Sequence, residues 1–124
     1  MGVRGFPATF GWMAPPIYAA LLTATTGVAE FSDVGYLNQT GERIYNIERA
    51  FNTRDGFGRK DDYAPERFIK EPVTNGPSKG QVFENDALLD DYYQARGWDL
   101  KTGIPTRQKL EELGLKKEAD ELNK

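Results

Sequence analysis

Where apolar residues along this chain recur regularly they do so every three or four positions, and no alternating run of useful length appears, so the regular pattern is helical. Ile17, Ala20, Leu21 and Ala24 recur at that spacing behind Pro15-Pro16, with Gly27 following. Proline suits a first helical turn, where its missing N–H would have no partner, and glycine suits the left-handed position just past a helix end. The spacing predicts a short, largely apolar and buried helix.

Val34, Leu37, Gly41, Ile44, Glu48 and Phe51 then fall on one stripe of a second, longer helix, widened by Ile47 and Ala50. Ser32 is the expected cap, with Asp33 in the first turn. Gly41 lies inside the stripe, where it costs about 1 kcal/mol relative to alanine. Close approach of another helix would offset that. Asp55-Gly56 ends the element.

Residues 56–84 hold Gly56, Gly58, Pro65, Pro72, Gly76, Pro77 and Gly80, a density of breakers that forbids a long helix or a central strand. One helical turn can open at Pro65-Glu66-Arg67-Phe68. A coil this long is unusual in a compact domain unless it packs on something. Phe57, Tyr63, Phe68, Ile69, Val73 and Val82 are the residues to pin it.

Asn85 is the expected cap of a third helix, with Asp86 in its first turn, an apolar side of Leu88, Leu89, Tyr92, Tyr93 and Ala95, and Gly97 as its stop. Thr106 caps a fourth, carrying Leu110 and Leu113 and closed by Gly114. Leu115, Ala119 and Leu122 form a thin amphipathic tail. The expectation is an all-α fold: one small irregular helical domain over 1–124, of four to six helices, with an irregular segment at 1–13 and a long coil at 56–84.

Composition narrows the chemistry. The 124 residues include no Cys and no His. Thiol nucleophiles, imidazole catalysis, and thiolate or imidazole ligands are therefore excluded. A metal site would have to be all-oxygen, and no acidic calcium-loop motif occurs. The net charge of -3 gives no attraction for nucleic acid or anionic lipid. The first thirty residues carry one basic residue, Arg4, and a short apolar run interrupted by Pro15-Pro16, which does not make a signal peptide. No run reaches the ~18–20 apolar residues of a membrane span. A cytoplasmic protein is expected.

From Gly41 the chain reads Gly41-Glu42-Arg43-Ile44-Tyr45-Asn46-Ile47-Glu48-Arg49-Ala50-Phe51-Asn52. It continues through Arg54-Asp55-Gly56-Phe57, Arg59-Lys60-Asp61-Asp62 and Pro65-Glu66-Arg67-Phe68. Tyr92-Tyr93, Arg96-Gly97-Trp98, Thr102-Gly103-Ile104-Pro105-Thr106 and Leu110-Glu111-Glu112-Leu113-Gly114-Leu115 follow in order. Over roughly residues 18–116 this resembles the C-terminal helical domain of the tungsten-containing aldehyde:ferredoxin oxidoreductases. The resemblance implies an enzyme that holds a tungsten bis-pterin and a [4Fe–4S] cluster and oxidises aldehydes to carboxylic acids with ferredoxin as electron acceptor. In that family an Asp-x-x-Gly-x-Cys motif lies just upstream and supplies a pterin contact and the last cluster cysteine. Here the corresponding stretch is Met1 to Phe6, and Arg4 stands where the cysteine belongs. No functional residue of the family carries over: no catalytic, cofactor-binding or metal-ligating residue is expected in this chain, and none of those cofactors is expected to bind it alone. The departure points to a truncated or degraded gene, or to a paralogue that lost the cluster.

The most functional-looking group is Arg59-Lys60-Asp61-Asp62, which with Arg43 and Arg67 forms a candidate docking patch for a partner or a cofactor-bearing domain. Its commoner use would be ion pairs with Glu66, Arg67 and Arg43 that pin the coil. On the second helix, Glu42, Arg43, Glu48 and Arg49 have the spacing of salt bridges within one helix. Tyr92, Tyr93 and Trp98 read as aromatic core ahead of a ligand-stacking site. The charged tail reads as a solvated face.

Two functions follow. One is a C-terminal fragment or subunit of such an oxidoreductase, inactive alone, partnered by the N-terminal part of the enzyme and meeting ferredoxin only through it. The alternative is a free-standing interaction domain with no redox role. Broad apolar stripes on the first two helices predict self-association of the isolated chain.

Overall fold

The computed structural model describes residues 14–122; the irregular segment expected over 1–13, Arg4 included, lies outside them. The chain divides into two compact units, Met1–Ile47 and Glu48–Lys124. Among the described residues there are six α-helices, two short 3-10 turns and no strand, as an all-α reading requires.

In the first unit, α1 (Pro15–Thr26) opens with proline at its first positions and ends at Gly27, whose φ of 71° is left-handed. The Gly27 amide donates to Thr23 O at 2.9 Å, closing the last turn. Both ends are as the breakers dictate. Its burial is not: Ala19 is the buried residue of α1, while Leu21 is 52% exposed and Ile17 is also open. A 3-10 turn at Ala29–Ser32 follows.

Helix α2 (Val34–Arg54) begins in the first unit and ends in the second. Ser32 is not its cap. That hydroxyl is held by Ala29 O within the 3-10 turn, and Asp33 takes the role one residue later, its Oδ1 accepting from the Gly35 amide at 2.8 Å. Leu37, Asn46 and Ala50 are buried, whereas Ile44, Ile47 and Phe51 remain exposed. The expected helix approach at Gly41 is absent: a Cβ there would meet no described atom within 4 Å.

The second unit holds α3 (Glu66–Lys70), α4 (Asn85–Arg96), α5 (Arg107–Glu112) and α6 (Lys116–Leu122). A 3-10 turn at Arg59–Asp61 and α3 are the regular structure within the coil of 56–84. Between α3 and α4 the chain doubles back: the Val73 amide donates to Gln81 O at 2.9 Å and the Gly80 amide to Val73 O at 2.8 Å. Helix α4 ends on Gly97 as expected, but Glu84 rather than Asn85 occupies its cap position. Asn85 is buried, and its Oδ1 accepts from the Ala64 amide at 2.9 Å, so the side chain that could cap the helix ties down the coil instead.

Thr106 caps α5 through its hydroxyl oxygen, which accepts from the Lys109 amide at 3.2 Å. Leu110, Leu113, Leu115 and Ala119 form a buried core with Leu122 against it. The charged tail is thus solvated on one face and packed on the other.

Candidate functional site

The site is built in the second unit, where the last turns of α2, the Arg59–Asp62 segment, α4 and the turn at 99–103 converge. Arg49 is its hub. The guanidinium Nη1 donates to Asp62 Oδ1 at 2.8 Å, Nη2 to Asp62 Oδ2 at 2.5 Å, and Nε to Gly103 O at 2.9 Å. A planar fork meeting a carboxylate in this two-point fashion fixes angle as well as distance. The Tyr93 hydroxyl donates to the same Asp62 Oδ2. Asp62 therefore receives three hydrogen bonds from two elements.

An aromatic floor lies beneath. The Arg49 guanidinium carbon is 4.8 Å from the Trp98 ring centre, near enough for a cation–π attraction. Tyr93 and Trp98 are 5.9 Å apart, and Tyr92 meets Trp98 edge-on at 5.7 Å. Tyr93 is 1% exposed and Trp98 is buried with it, while Tyr92 is half-buried, so Tyr93 and Trp98 are core, as the residue types imply, and not an open stacking platform.

Arg59 organises the second half. Its Nη1 donates to Asp90 Oδ1 at 2.5 Å and to Leu100 O at 2.6 Å, and its Nη2 to Asp86 Oδ1 at 3.1 Å. The Tyr63 hydroxyl donates to Asp86 as well. The Arg59 amide donates to Thr102 O at 2.8 Å, joining this segment to the turn at 99–103 by backbone. That turn is wound on Asp99, whose Oδ1 accepts from the amides of Lys101 and Thr102 and from the Thr102 hydroxyl.

The electrostatics bias Asp62, Tyr93 and Asp86 each toward one protonation state. Burial pushes the Asp62 carboxyl up, but hydrogen bonds from Arg49 and Tyr93 outweigh it and hold Asp62 below the usual carboxylate range. Burial, then the hydrogen bond to Asp62, pushes the Tyr93 phenol up to about 12. Hydrogen bonds from Tyr63 and Arg59 hold Asp86 low.

The six candidate docking residues part company. Arg59 and Asp62 anchor the two networks, and the exposed Asp61 folds back on its own turn to accept from the Gly58 amide at 2.9 Å. Lys60 is exposed, and Arg43 is half-buried on α2. Arg67 reaches Glu71 at 3.6 Å within its own short segment, as Lys70 reaches Glu66 at 3.1 Å. The charged segment does pin the coil, but its partners are Arg49, Asp86 and Asp90, not Glu66, Arg67 and Arg43. Arg49 likewise pairs across to Asp62 instead of along its helix. The carboxylates of Asp86 and Asp90, four apart on α4, were a readable sign of a cation between them; the pairing of Arg49 with Asp62 left no local sign.

No group of three or more acidic, His or Cys side chains able to hold a metal occurs among the described residues. With no Cys or His anywhere in the chain, a [4Fe–4S] cluster does not fit its donor set. Among the described residues no helix is long and apolar enough to cross a membrane.

A family model described as "Aldehyde ferredoxin oxidoreductase, domains 2 & 3" matches residues 6–115. The tungsten-containing aldehyde ferredoxin oxidoreductases of Thermococcus kodakarensis and Pyrococcus furiosus are each 44% identical over 108 residues, which is 86% of this chain and 17% of theirs. The WOR-like subunit of an aliphatic sulfonate oxidoreductase from Pyrococcus furiosus is 38% identical over 88 residues, 64% of this chain and 14% of that one. Among solved structures, the active site complex BamBC of benzoyl coenzyme A reductase, in complex with 1,5 dienoyl-CoA, superposes with a TM-score of 0.66 at 31% identity. That superposition covers 84% of this chain and 14% of the other. The chain thus spans a small part of every relative named here.

Proposed function

The chain belongs to the aldehyde ferredoxin oxidoreductase family, and we propose that it supplies the C-terminal helical part of a tungsten-containing member whose remainder carries the metal groups. Oxidation of an aldehyde to a carboxylate, with electrons passed to ferredoxin, is on this reading an activity of the assembled enzyme. Ferredoxin meets the chain only within that assembly, and the assembly works in the cytoplasm. The observation that carries the reading is the breadth of the match: 108 residues aligned at 44% identity, against relatives of which the chain spans 17%.

The residue chemistry supports it. A chain with no thiol and no imidazole supplies neither a cluster ligand nor a proton shuttle near neutral pH. What its residues do well is hold shape. Arg49, Asp62 and Arg59 bind the coil to α2, α4 and the turn at 99–103. A segment rich in helix and strand breakers is thereby presented as a fixed surface.

Co-expression with the portion of the Thermococcus kodakarensis enzyme that the chain does not span tests the proposal. The expected result is a stable complex that oxidises aldehydes with ferredoxin, neither partner doing so alone. A chain that stays monodisperse and ignores that portion would favour the free-standing interaction domain.

A further inference from the structure

The segment from α3 to the start of α4 carries apolar surface that the described residues leave open. Phe68 is 59% exposed and Phe83 45%, and Val73 and Val82 are nearly as open. These four side chains, with Pro72, line a concavity rimmed by Arg67 and Glu71. It is a built shape. The doubled-back backbone between Val73 and Gln81 forms one wall, and the Phe83 amide donates to Phe68 O at 2.9 Å to fix the base.

We propose that this arm is the surface on which the rest of the oxidoreductase seats, its concave side receiving a convex apolar side chain or helix edge from that part. The inference rests on the reading of the chain as one part of such an enzyme, and adds where the parts meet. Charge narrows the occupant. Over residues 66–84 three basic residues (Arg67, Lys70, Lys79) balance three acidic ones (Glu66, Glu71, Glu84), leaving a net charge of zero. Four of the six are already paired within the segment. A neutral face of this kind offers no steering to nucleic acid, an anionic membrane or a strongly charged carrier protein. Shape disfavours a second copy, because a two-fold contact sets a surface against itself and two concavities leave each other unfilled. The relatives carry this sequence within chains of which it is 17% of the length, so most of such an enzyme lies outside it and is available as the occupant. Exposed apolar patches rimmed by polar residues mark contacts of this sort.

A Phe68→Ser/Phe83→Ser double variant is the test, co-expressed with the unspanned portion of the Thermococcus kodakarensis enzyme and captured through a tag on the chain. Both rings are open to solvent, so helix content and melting temperature should match the parent. A Val82→Glu variant serves the same purpose should the double variant fold poorly. The expected result is capture by the parent chain and by a Leu21→Ser control, with recovery down about tenfold or more for the arm variants. Equal capture by parent and arm variants overturns the proposal while leaving the functional reading intact. Failure of the parent to capture that portion overturns both. A concentration-dependent dimer of the parent, abolished by the arm variants, would assign the arm to a second copy and overturn the proposal too.

Discussion

Arg49 and Asp62, thirteen residues apart, meet through two parallel hydrogen bonds of 2.8 Å and 2.5 Å, and their side chains are 12% and 26% exposed. The pair joins a regular helix to a segment that has almost no regular structure of its own. Arg49→Ala leaves Asp62 charged, mostly buried and short of two donors, and removes the guanidinium from the Trp98 face. A loss of about 2–4 kcal/mol in unfolding free energy is expected by urea titration, in the range for breaking one side of a buried pair. Arg49→Lys should recover only part of it, since an ammonium does not reproduce the fork.

Asp62 also sets an acid limit. Its folded-state pKa lies below the ordinary 3.8, so its contribution is fully present above that value and is lost as pH falls through the folded one. The Asp62→Asn variant should be less stable than the parent at pH 6, with the difference narrowing below about pH 4. Chemical denaturation across pH 2–6 gives the difference curve; a gap that stays constant would contradict the assignment.

Tyr93 has the opposite sign. Its phenol is pushed up to about 12 from 10.0, so the folded state holds the proton more tightly and the contribution fades as pH rises between those values. Tyr93→Phe removes the donor to Asp62 and should flatten the alkaline limb of the stability curve. Ultraviolet titration at the tyrosinate band should show the Tyr93 phenol titrating late in the parent, and that late component should be lost in the variant.

Two glycines should respond in opposite directions. At Gly103 φ is 70°, and an added Cβ would lie 2.6 Å from Arg49 Nη2 and 2.8 Å from Tyr93 Oη. Neither neighbour is free to yield, because both are tied to Asp62. Gly103→Ala should therefore cost about 2–4 kcal/mol, combining left-handed strain with overpacking. Gly41 is mid-helix with open space around it, and Gly41→Ala should raise stability by about 0.5–1 kcal/mol. Thermal melts of the two variants give the signs directly.

What could be read from sequence was what the chain decides within a few residues. Gly27, Gly97 and Thr106 end or begin helices as their chemistry requires, because the partners they need are backbone groups three or four positions away. Asn85 and Ser32 have the same capping chemistry, yet each spends it elsewhere. Nothing local announces that the Ala64 amide, 21 residues upstream, will claim the Asn85 carbonyl. Arg59 and Asp62 were visible as a charged run that fastens the coil, but their partners depend on how the coil folds back. On α1 the pattern misleads the other way: apolar spacing predicts that a face seeks cover, not that the described residues provide it. Ile17 and Leu21 are apolar and open.

Metal analysis of the lone purified chain, expressed in cells supplied with tungstate and iron, bears most directly on the central claim that any redox chemistry comes from a companion. The account predicts far less than one tungsten or iron per chain, and both metals at stoichiometric levels once the remaining portion of the enzyme is bound. Stoichiometric tungsten or iron on the chain by itself would contradict it.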